Sequence, residues 1–507
     1  MFTLYFLARK AKGERVKNRK KKMAAVLGMT LAVSGMTACQ EKETLSLETP
    51  VNVEFQDVTV HDPSVVLGED GSYYIFGSHL AVAKTEDLIN WEQVNSKVKD
   101  DNPVIPDVYK EMKEAFEWAN SATFWAPDVV KLGDGKYHMY YCNCKGDEPL
   151  SCLGMAVSDS VAGPYKNEGL LLKSGMPVSD PDEDGNIYQA TVDPNVVDPC
   201  VFFDKDGRLW MMYGSYSGGI FIKEMNPVTG LPLESGYGKK ILGGNHLRIE
   251  APYVIYNPET DYYYMFLSFG GLDSDGGYNV RVCRSQTPDG PYEDSMGNDM
   301  ISCKGPANTV FSDVTAQQYG TKLMGNYKFL WQEGEQGEER RGYLSPGHNS
   351  CLYQEDTGKY FIIYHTRFEN SGEEHSVRVH QMFFNTDGWP VISPYRYVGE
   401  TVGAYTQEDA AGSYKVINHG REITAEISES VNVKLEKNGK ITGDLEGTWE
   451  LSGEHDLEIT LDDKVYRGVL CRQYDDDGLK YVMTFTVLNE ETGVAVWGSG
   501  LDGADSL

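Results

Sequence analysis

The sequence is poor in basic residues and has no long apolar run. Its 507 residues include 46 Lys and Arg against 76 Asp and Glu, a formal net charge of −30. This acidic surplus argues against nucleic acid as a partner, because phosphates are neutralised by Lys and Arg. With 40% hydrophobic and 24% charged residues, the composition is globular rather than disordered or multi-span membrane. Helical periodicity is also scarce, and residues 108–120 are the best short-helix candidate.

The N-terminal region has the features of an export signal. A basic cluster, Lys17–Lys22, precedes the uncharged apolar stretch Met23–Ala38, as in secretory signals. The stretch is too short to span a bilayer comfortably. Its ending, Met-Thr-Ala-Cys, resembles a bacterial lipobox, which implies a lipid anchor on Cys39; plain secretion with an incidental cysteine is the alternative. We therefore predict a signal peptide over residues 1–38 and a polar tether over 39–54.

Cysteine is too sparse to indicate a disulfide scaffold. Eight cysteines follow Cys39, scattered over a long chain, unlike the dense spacing of small secreted domains. Cys144 and Cys152 flank a predicted hairpin loop and could pair. Inert buried thiols are the favoured interpretation.

An internal repeat is the strongest structural signal. Each copy has an opening dipeptide, an apolar strand, a turn and an aromatic-rich strand. The five copies are Asp62–Ser78, Ala126–Cys142, Asp198–Ser215, Ala251–Ser268 and His348–Thr366. Repeated strand units of this kind favour radial packing around an axis, whereas a β-sandwich would not explain five matching openings. The sequence predicts an all-β fold with a five-bladed β-propeller over residues 55–400.

The repeat stops after about residue 397. Short apolar strands such as Leu457–Leu461 and Tyr481–Val487 then alternate with Gly, Asn and Asp turns. This pattern predicts a small C-terminal β-barrel or sandwich over residues 401–507.

Carboxylates occur at matching positions of several copies. The first strand of each propeller blade lines the central channel, so residues at the openings of different blades converge. These positions carry Asp62, Asp198, Glu250 and His348, whereas the second copy opens with Trp125-Ala126-Pro127-Asp128. Two nearby carboxylates in different environments are what acid–base hydrolysis of a glycosidic bond requires. An Asp before Pro is also common turn chemistry, so the joint occurrence carries the prediction.

Three segments carry a resemblance to a known family. Val60-His61-Asp62-Pro63, Val197-Asp198-Pro199 and Arg248–Tyr253 resemble motifs of glycoside hydrolase family 43, five-bladed propeller enzymes that act on arabinan and xylan. The resemblance covers about residues 57–397. It implies inverting hydrolysis, with one displacement by water and carboxyl groups far enough apart to admit that water.

The resemblance also implies a role for each residue. Asp62 is expected to be the general base and Glu250 the general acid. Asp198 is expected to raise the pKa of Glu250 and to hold its orientation. Asp193, in the near copy Val192-Asp193-Pro194, is a decoy because only Asp198 has the family spacing, six residues before Asp204.

Within the family, the chain looks most similar to endo-acting α-1,5-L-arabinanases with a second β-domain. The supporting stretches are Trp210–Gly219, Gly243–Pro252 and Gly347–Ser350. In those enzymes the histidine of the Gly-His-Asn-Ser motif binds a calcium ion largely through water, so His348 is the predicted metal residue. The expected substrate is arabinan or an arabino-oligosaccharide, hydrolysed by a secreted or lipid-anchored monomer.

Other residues flank the openings, and other functions remain open. Four flanking residues are predicted to contact sugar, although blade packing is an equal alternative: Trp125, Phe124, Ser215 and Tyr216. An exo-acting α-L-arabinofuranosidase or β-xylosidase would use the same fold with a closed pocket. A non-catalytic carbohydrate-binding surface lipoprotein is the alternative from a different class.

Overall fold

The computed structural model describes residues 53–501, except 182–184, 186, 334 and 336–339. The predicted signal peptide and Cys39 therefore lie outside the described residues. The described residues fall within one compact unit, built almost entirely of strands. No helix within the described ranges is both long and apolar enough to cross a membrane.

The first three repeats form separate four-stranded antiparallel sheets. Their innermost strands are four residues long and share one burial pattern, in which the first two residues are buried. The strands are β1 Ser64–Leu67, β2 Tyr73–Gly77, β3 Ala81–Thr85, β4 Glu92–Asn95, β5 Asp128–Lys131, β6 Tyr137–Cys144, β7 Ser151–Ser158, β8 Lys166–Ser174, β9 Cys200–Phe203, β10 Leu209–Tyr213, β11 Ile220–Met225 and β12 Lys239–Leu242. A 3-10 turn, Ser78–Leu80, separates β2 from β3.

The hairpin turns explain the Gly/Asp-rich spacers of the repeat. Gly71, Gly135 and Gly207 have φ of +83°, +83° and +80°, a region that glycine enters without steric cost. The fourth copy has Asp261 at φ +56° instead, and Asp is one of the residues that tolerate this conformation.

The fourth and fifth repeats are incorporated into larger sheets. The fourth supplies β13 Ile249–Asn257, β14 Tyr262–Phe269, β15 Asn279–Ser285 and β16 Thr321–Met324, and the next segment supplies β17 Tyr327–Lys328, β18 Tyr343–Gln354, β19 Lys359–Phe368, β20 His375–Phe384 and β21 Pro390–Ile392. A 3-10 turn, Met300–Ser302, and a short helix, Asp313–Ala316, precede β16.

The prediction of five like blades is corrected. Four repeats form four-stranded blades, but the fifth lies in a six-stranded sheet of order β21-β20-β19-β18-β17-β23, in which β23 is Ser428–Glu429. The physical reason is the protection of a sheet edge. Without a partner on its second side, β17 would leave backbone N–H and C=O groups unpaired. It pairs in parallel with β23 through Tyr327↔Ser428 and Lys328↔Glu429, a partner that comes from outside the repeat.

The C-terminal segment is an eight-stranded barrel, which selects one of the two predicted forms. Its strand order is β30-β22-β24-β25-β26-β27-β28-β29, and β29 pairs again with β30. The strands are β22 Gly412–Asn418, β24 Val431–Leu435, β25 Lys440–Gly443, β26 Gly447–Leu451, β27 Asp456–Leu461, β28 Lys464–Asp475, β29 Lys480–Asn489 and β30 Val494–Gly500. A short helix, Gln407–Ala410, precedes it, begun by Thr406 and Asp409 in a capping box.

The barrel and the fourth blade share one sheet and one core. Lys322 of β16 pairs in parallel with Val494 of β30, which makes a twelve-stranded sheet. A buried apolar cluster also includes Tyr264 and Trp389 from the repeats together with Trp497 of the barrel. The two regions therefore pack as one body.

Two minor predictions are resolved. The short-helix region contains α1 Val108–Glu111 and α2 Lys113–Ala119, separated at Met112. Each of the eight described cysteines is buried and unpaired, so Cys144 and Cys152 do not form a disulfide.

Candidate active site

The predicted site residues lie where the backbone enters or has just entered an inner strand. Asp62, Asp198 and His348 have φ of +60°, +55° and +44°, and Ala251, next to Glu250, has +56°. Left-handed backbone is uncommon for residues other than glycine and costs energy, and it concentrates at functional sites. The pairing register also shifts after Glu250 and on both sides of Gly347, which re-aims these side chains relative to a regular strand.

Both carboxylate oxygens and the backbone N–H of Asp62 have polar partners. Its Oδ1 lies 2.7 Å from Nδ1 of His61 and 2.9 Å from Nδ1 of His348. Its Oδ2 accepts a hydrogen bond from the hydroxyl of Ser78. Its backbone N–H donates to Nδ1 of His365 at 3.1 Å. This buried carboxylate therefore has a defined orientation.

Asp62 and His348 form a charged pair. Burial alone would raise the pKa of Asp62, but the charge and hydrogen bonds of His348 and His61 hold it well below the usual range. Burial also acts to lower the pKa of His348, but Asp62 and Asp198 raise it to about 9. Near neutral pH, Asp62 is ionised and can accept a proton.

A second layer of residues fixes His61. Its ring stacks on that of His365 with centroids 3.9 Å apart, and its Nε2 lies 3.3 Å from Nη2 of Arg367. Since a guanidinium only donates, the proton directed at Asp62 is the one on Nδ1. Glu373 accepts from Nε of Arg367 at 2.6 Å. The sequence pattern did not identify His365 and Arg367 as site residues; both lie near the end of β19, the aromatic strand of the fifth repeat.

Glu250 accepts two hydrogen bonds in a buried position. The hydroxyl of Ser215 donates to Oε2 at 2.7 Å, and the hydroxyl of Tyr278 donates to Oε1 at 2.8 Å. Burial raises the pKa of Glu250, although His348 and these two hydrogen bonds oppose the rise. Tyr278 precedes β15 in a Gly-rich loop, outside the repeat, and the sequence offered no signal for its role.

Asp198 lies beside Glu250 and shares its burial. The backbone N–H of Ala251 donates to Oδ2 of Asp198 at 3.2 Å. Burial raises the pKa of Asp198; His348 opposes this rise, and the neighbouring charges of Glu250 and Asp62 add to it. Asp193 is not in this cluster: it caps a local turn by accepting from the backbone N–H of Gln189 at 2.6 Å.

The cluster therefore separates two protonation states. One carboxylate, Asp62, is stabilised in its charged form, whereas burial favours the neutral form of Glu250 and Asp198. A base and an acid in one site are the arrangement that general acid–base catalysis needs near neutral pH.

The four predicted sugar contacts have different surroundings. Phe124 is 1% exposed and packs edge-on against Tyr141 in the blade core, so its prediction as a sugar contact is corrected: the ring has no free face. Ser215 is buried and donates to Glu250. Trp125 is half-buried and its Nε1 donates to the carbonyl of Cys144 at 3.0 Å. Tyr216 is also half-buried. The centroid of its ring lies 5.6 Å from that of the exposed Phe311.

Asp128, at the opening of the second repeat, braces three blades. It accepts from the hydroxyl of Ser64 on β1 and from the backbone N–H of Val201 on β9 at 2.5 Å. Burial raises its pKa to about 6 despite these hydrogen bonds. The carboxylate joins the inner strands rather than the cluster around Asp62.

The residues around His348 fit a calcium ion only through intervening water. Calcium prefers six to eight oxygen ligands, whereas His348 offers nitrogen, and its Nδ1 faces Asp62. The side chains of His61, Asp62 and His365 can bring ligand atoms within 4.8 Å of one another, but two imidazoles and one carboxylate are not a calcium donor set. The neighbouring carboxylates nevertheless make the channel favourable for a hydrated cation.

Comparisons with known proteins agree with this architecture. A model of glycosyl hydrolases family 43 matches residues 55–322, and a model of a C-terminal lipocalin-like domain matches 394–498. The extracellular endo-α-(1→5)-L-arabinanase 2 of Bacillus subtilis (strain 168) is 57% identical over 446 residues, which cover 88% of the chain and 93% of that protein. The extracellular endo-α-(1→5)-L-arabinanase of Thermotoga petrophila is 48% identical, with 88% and 94% covered.

Solved structures show the same similarity. A family 43 glycoside hydrolase from Bacillus licheniformis superposes with a TM-score of 0.85 at 54% identity, covering 89% of the chain and 99% of that protein. The endo-1,5-α-L-arabinanase of Thermotoga petrophila RKU-1 gives a TM-score of 0.84 at 47% identity, with 88% and 99% covered.

Proposed function

The chain belongs to glycosyl hydrolase family 43, and from that premise we propose that it hydrolyses internal α-1,5-L-arabinofuranosidic bonds of arabinan with inversion. The observation that carries the proposal is the arrangement of Asp62, Asp198 and Glu250, in which one carboxylate is held ionised and the other two favour protonation. The similarity to two named endo-arabinanases over most of the chain supports the same substrate.

Each carboxyl group has one role in a single displacement. Asp62 removes a proton from the attacking water, because its charged form is stabilised by His348 and His61. Glu250 donates a proton to the leaving oxygen, because burial raises its pKa and so favours the protonated form. Asp198 lies beside Glu250 in the same buried site, where ionisation of one group disfavours ionisation of the other, and it accepts a hydrogen bond from the Ala251 N–H at 3.2 Å, which fixes the position of the acid.

Substitution of Glu250 tests the assignment of the acid. Glu250→Gln keeps the shape and one acceptor for Ser215 or Tyr278, so we expect arabinan binding to persist while kcat falls by about 10²-fold or more. Glu259→Gln, in the turn after β13, is the matched control and should retain full activity. Near-normal turnover by Glu250→Gln would contradict the assignment.

Product analysis tests the bond that is cleaved. Purified residues 40–507 are incubated with linear debranched arabinan, and we expect mixed short oligosaccharides early in the reaction and initial products of inverted anomeric configuration by NMR. Monomer alone would support the exo-acting alternative. Tight binding without product would support the non-catalytic alternative.

We extend the proposal to the architecture. The six-stranded sheet of the fifth repeat closes the ring of four blades: β18 lies beside both β13 and β1, while β1, β5, β9 and β13 lie side by side in that order. The catalytic domain then spans residues 55–400 and the barrel domain 401–507. Matches of the family model to 55–322 and of the lipocalin-like model to 394–498 support this division.

We also propose that a calcium ion is bound near His348, mainly through water. When bound, such an ion would supply positive charge close to the buried carboxyl groups. The Nε2 atom of His348, which no described residue engages, is the group available to such a hydrated ion. Calorimetric titration of the chelated protein with Ca²⁺ tests this proposal, with His348→Ala as the variant expected to lose binding.

We propose that the protein acts outside the cytoplasm, because both relatives are extracellular arabinanases. We propose that Cys39 carries a lipid and that the protein acts as a monomer. Metabolic labelling with a fatty acid is expected to mark the wild type and not Cys39→Ala, and light scattering of the form lacking the signal measures its mass.

A further inference from the structure

A segment of the C-terminal barrel domain crosses the propeller beside the active-site loop. This segment, Arg421–Ile427, is called the strap. Three buried donors of the propeller bind its backbone carbonyls: Arg281 donates to Arg421 O, Lys322 Nζ to Glu422 O at 2.8 Å, and Asn326 Nδ2 to Ala425 O at 3.0 Å. Since a buried donor without a partner is costly, these contacts fix the path of the strap.

The strap lies directly against the loop that carries Tyr278. A Cβ atom added to Gly277, whose φ is +70°, would lie 2.7–2.8 Å from backbone atoms of Thr424. A Cβ atom added to Gly270 would lie 3.0 Å from Cγ2 of Ile423. The loop is closed on itself by the N–H of Gly271, which donates to Gly276 O at 2.8 Å. The two glycines thus allow the loop and the strap to touch without intervening side chains.

The loop in turn sets the position of Tyr278. The phenol ring is 1% exposed and packs on Gly347, where an added Cβ would lie 2.3 Å from Cδ1 of the ring. Its hydroxyl is one of the two donors to Glu250. Since Tyr278 follows Gly277 directly, a displacement of the turn moves this hydroxyl relative to Glu250.

One residue links the strap to the other side of the site. While Asn326 donates to the strap, its Oδ1 accepts from the backbone N–H of Ser345 at 2.7 Å. The hydroxyl of Ser345 donates to Asp273 O in the Tyr278 loop at 2.6 Å. Ser345 is on β18, three residues before His348. The strap therefore contacts the supports of both Glu250 and His348.

We propose that the strap is a positioning element for the reaction: it holds the turn at Gly277 so that the Tyr278 hydroxyl orients the acid Glu250. The inference rests on the proposed function, because it gives the barrel domain a part in the same catalytic step. The strap contacts described above reach the Tyr278 loop and its supports rather than the three carboxyl groups, so the effect of the strap passes through Tyr278.

Two variants disturb the contact from opposite sides. Ile423→Ala removes strap packing under Gly270, and Gly277→Ala forces the turn away from Thr424. Gly358→Ala is the control for backbone strain, because its φ is +69° and no atom lies within 4 Å of the added Cβ. Val402→Ala is the control for lost apolar packing, because Val402 also lies against the shared core.

The readout compares two leaving groups. Cleavage of arabinan requires protonation of the leaving oxygen. In a 4-nitrophenyl glycoside of arabinotriose the leaving group is 4-nitrophenolate, which departs without help from an acid. We expect Ile423→Ala and Gly277→Ala to lower kcat on arabinan about tenfold and kcat on the aryl glycoside less than about twofold. The basic limb of the arabinan pH profile should move to higher pH, because the lost hydrogen bond normally lowers the pKa of Glu250.

Hydrogen exchange of the Gly277 and Tyr278 amides gives a readout that does not depend on activity. We expect faster exchange in Ile423→Ala and unchanged exchange in both controls. Unchanged exchange in Ile423→Ala, or equal rate losses on the two substrates with an unmoved basic limb, would overturn the inference. If the wild type releases no product, the proposed function is wrong, and so is the catalytic role given to the strap. If the wild type is active and both strap variants behave like it, only the inference about the strap is wrong.

Discussion

Replacement of Tyr278 by Phe tests how the acid is tuned. The variant removes one hydroxyl, which donates to Oε1 of Glu250 at 2.8 Å, and leaves the ring packed on Gly347. A hydrogen bond to a charged group contributes about 1.5–3 kcal/mol. Because this hydrogen bond favours the charged form of Glu250, its loss should raise the pKa of that carboxyl group. Tyr278 itself remains a donor throughout, because burial and Glu250 keep its pKa well above the usual value.

The sign of this shift decides the pH profile. The bond favours the charged form of Glu250, so its removal favours the protonated acid, and the basic limb of kcat/KM on arabinan should move to higher pH. The maximal rate should fall, because Ser215 alone then orients the carboxyl group. Tyr213→Phe is the matched control: Tyr213 is equally buried, but its hydroxyl donates to the carbonyl of Tyr237. A basic limb that stays in place or moves to lower pH would refute this reasoning.

Three further predictions follow from the same site. Trp125→Ala should raise KM for arabinan more than it lowers kcat, which steady-state kinetics measures. Phe124→Ala should lower the free energy of unfolding by about 3–5 kcal/mol, measured by denaturant titration, and should leave KM unchanged. A KM increase for Phe124→Ala would contradict its core position. Burial raises the pKa of Asp128 to about 6, so the unfolded state loses its proton first and wild-type stability falls as pH rises from about 4 through 6. The melting temperature of Asp128→Asn should therefore rise relative to that of the wild type between pH 4 and pH 7. A difference in melting temperature that does not change with pH would argue against a buried charge. Prolonged chelation should lower activity and added Ca²⁺ should restore it in the wild type but not in His348→Ala, whereas full activity after chelation would remove calcium from the mechanism.

The repeat made much of the site readable from the sequence. Asp62 and Asp198 occupy the same place before their inner strands, and Glu250 is one residue from it, so convergence follows from register alone. The structure gathers these residues around His348, with backbone strain at the same positions. What the pattern could not show is their protonation, which depends on burial and on partners from other blades.

The supporting residues were not readable for a physical reason. Tyr278 reaches the site from a loop, where no period sets the direction of its side chain. Arg367 reaches it from the end of β19, one residue beyond the repeat. For Phe124 the sequence left sugar contact and blade packing as equal alternatives, and its ring fills the blade core. Local sequence does not distinguish a ring that faces sugar from a ring that packs.

The sheet pairing between domains was equally hidden. Lys322 pairs with Val494 across more than 170 residues of chain, and β17 pairs with β23 over only two residues. Such contacts depend on how two folded regions meet, so the strand pattern predicted the barrel but not its attachment to the fourth blade.

The shared sheet makes the two domains inseparable in practice. A cut near residue 400 would strip β16 of its neighbour β30 and β17 of its neighbour β23, leaving two bare strand edges and the exposed apolar face that Trp497 now covers. Free edges of this kind recruit strands from other molecules. The propeller expressed alone would therefore be prone to aggregate, and the intact chain should melt in a single cooperative step, so the barrel cannot be exchanged like a detachable binding module.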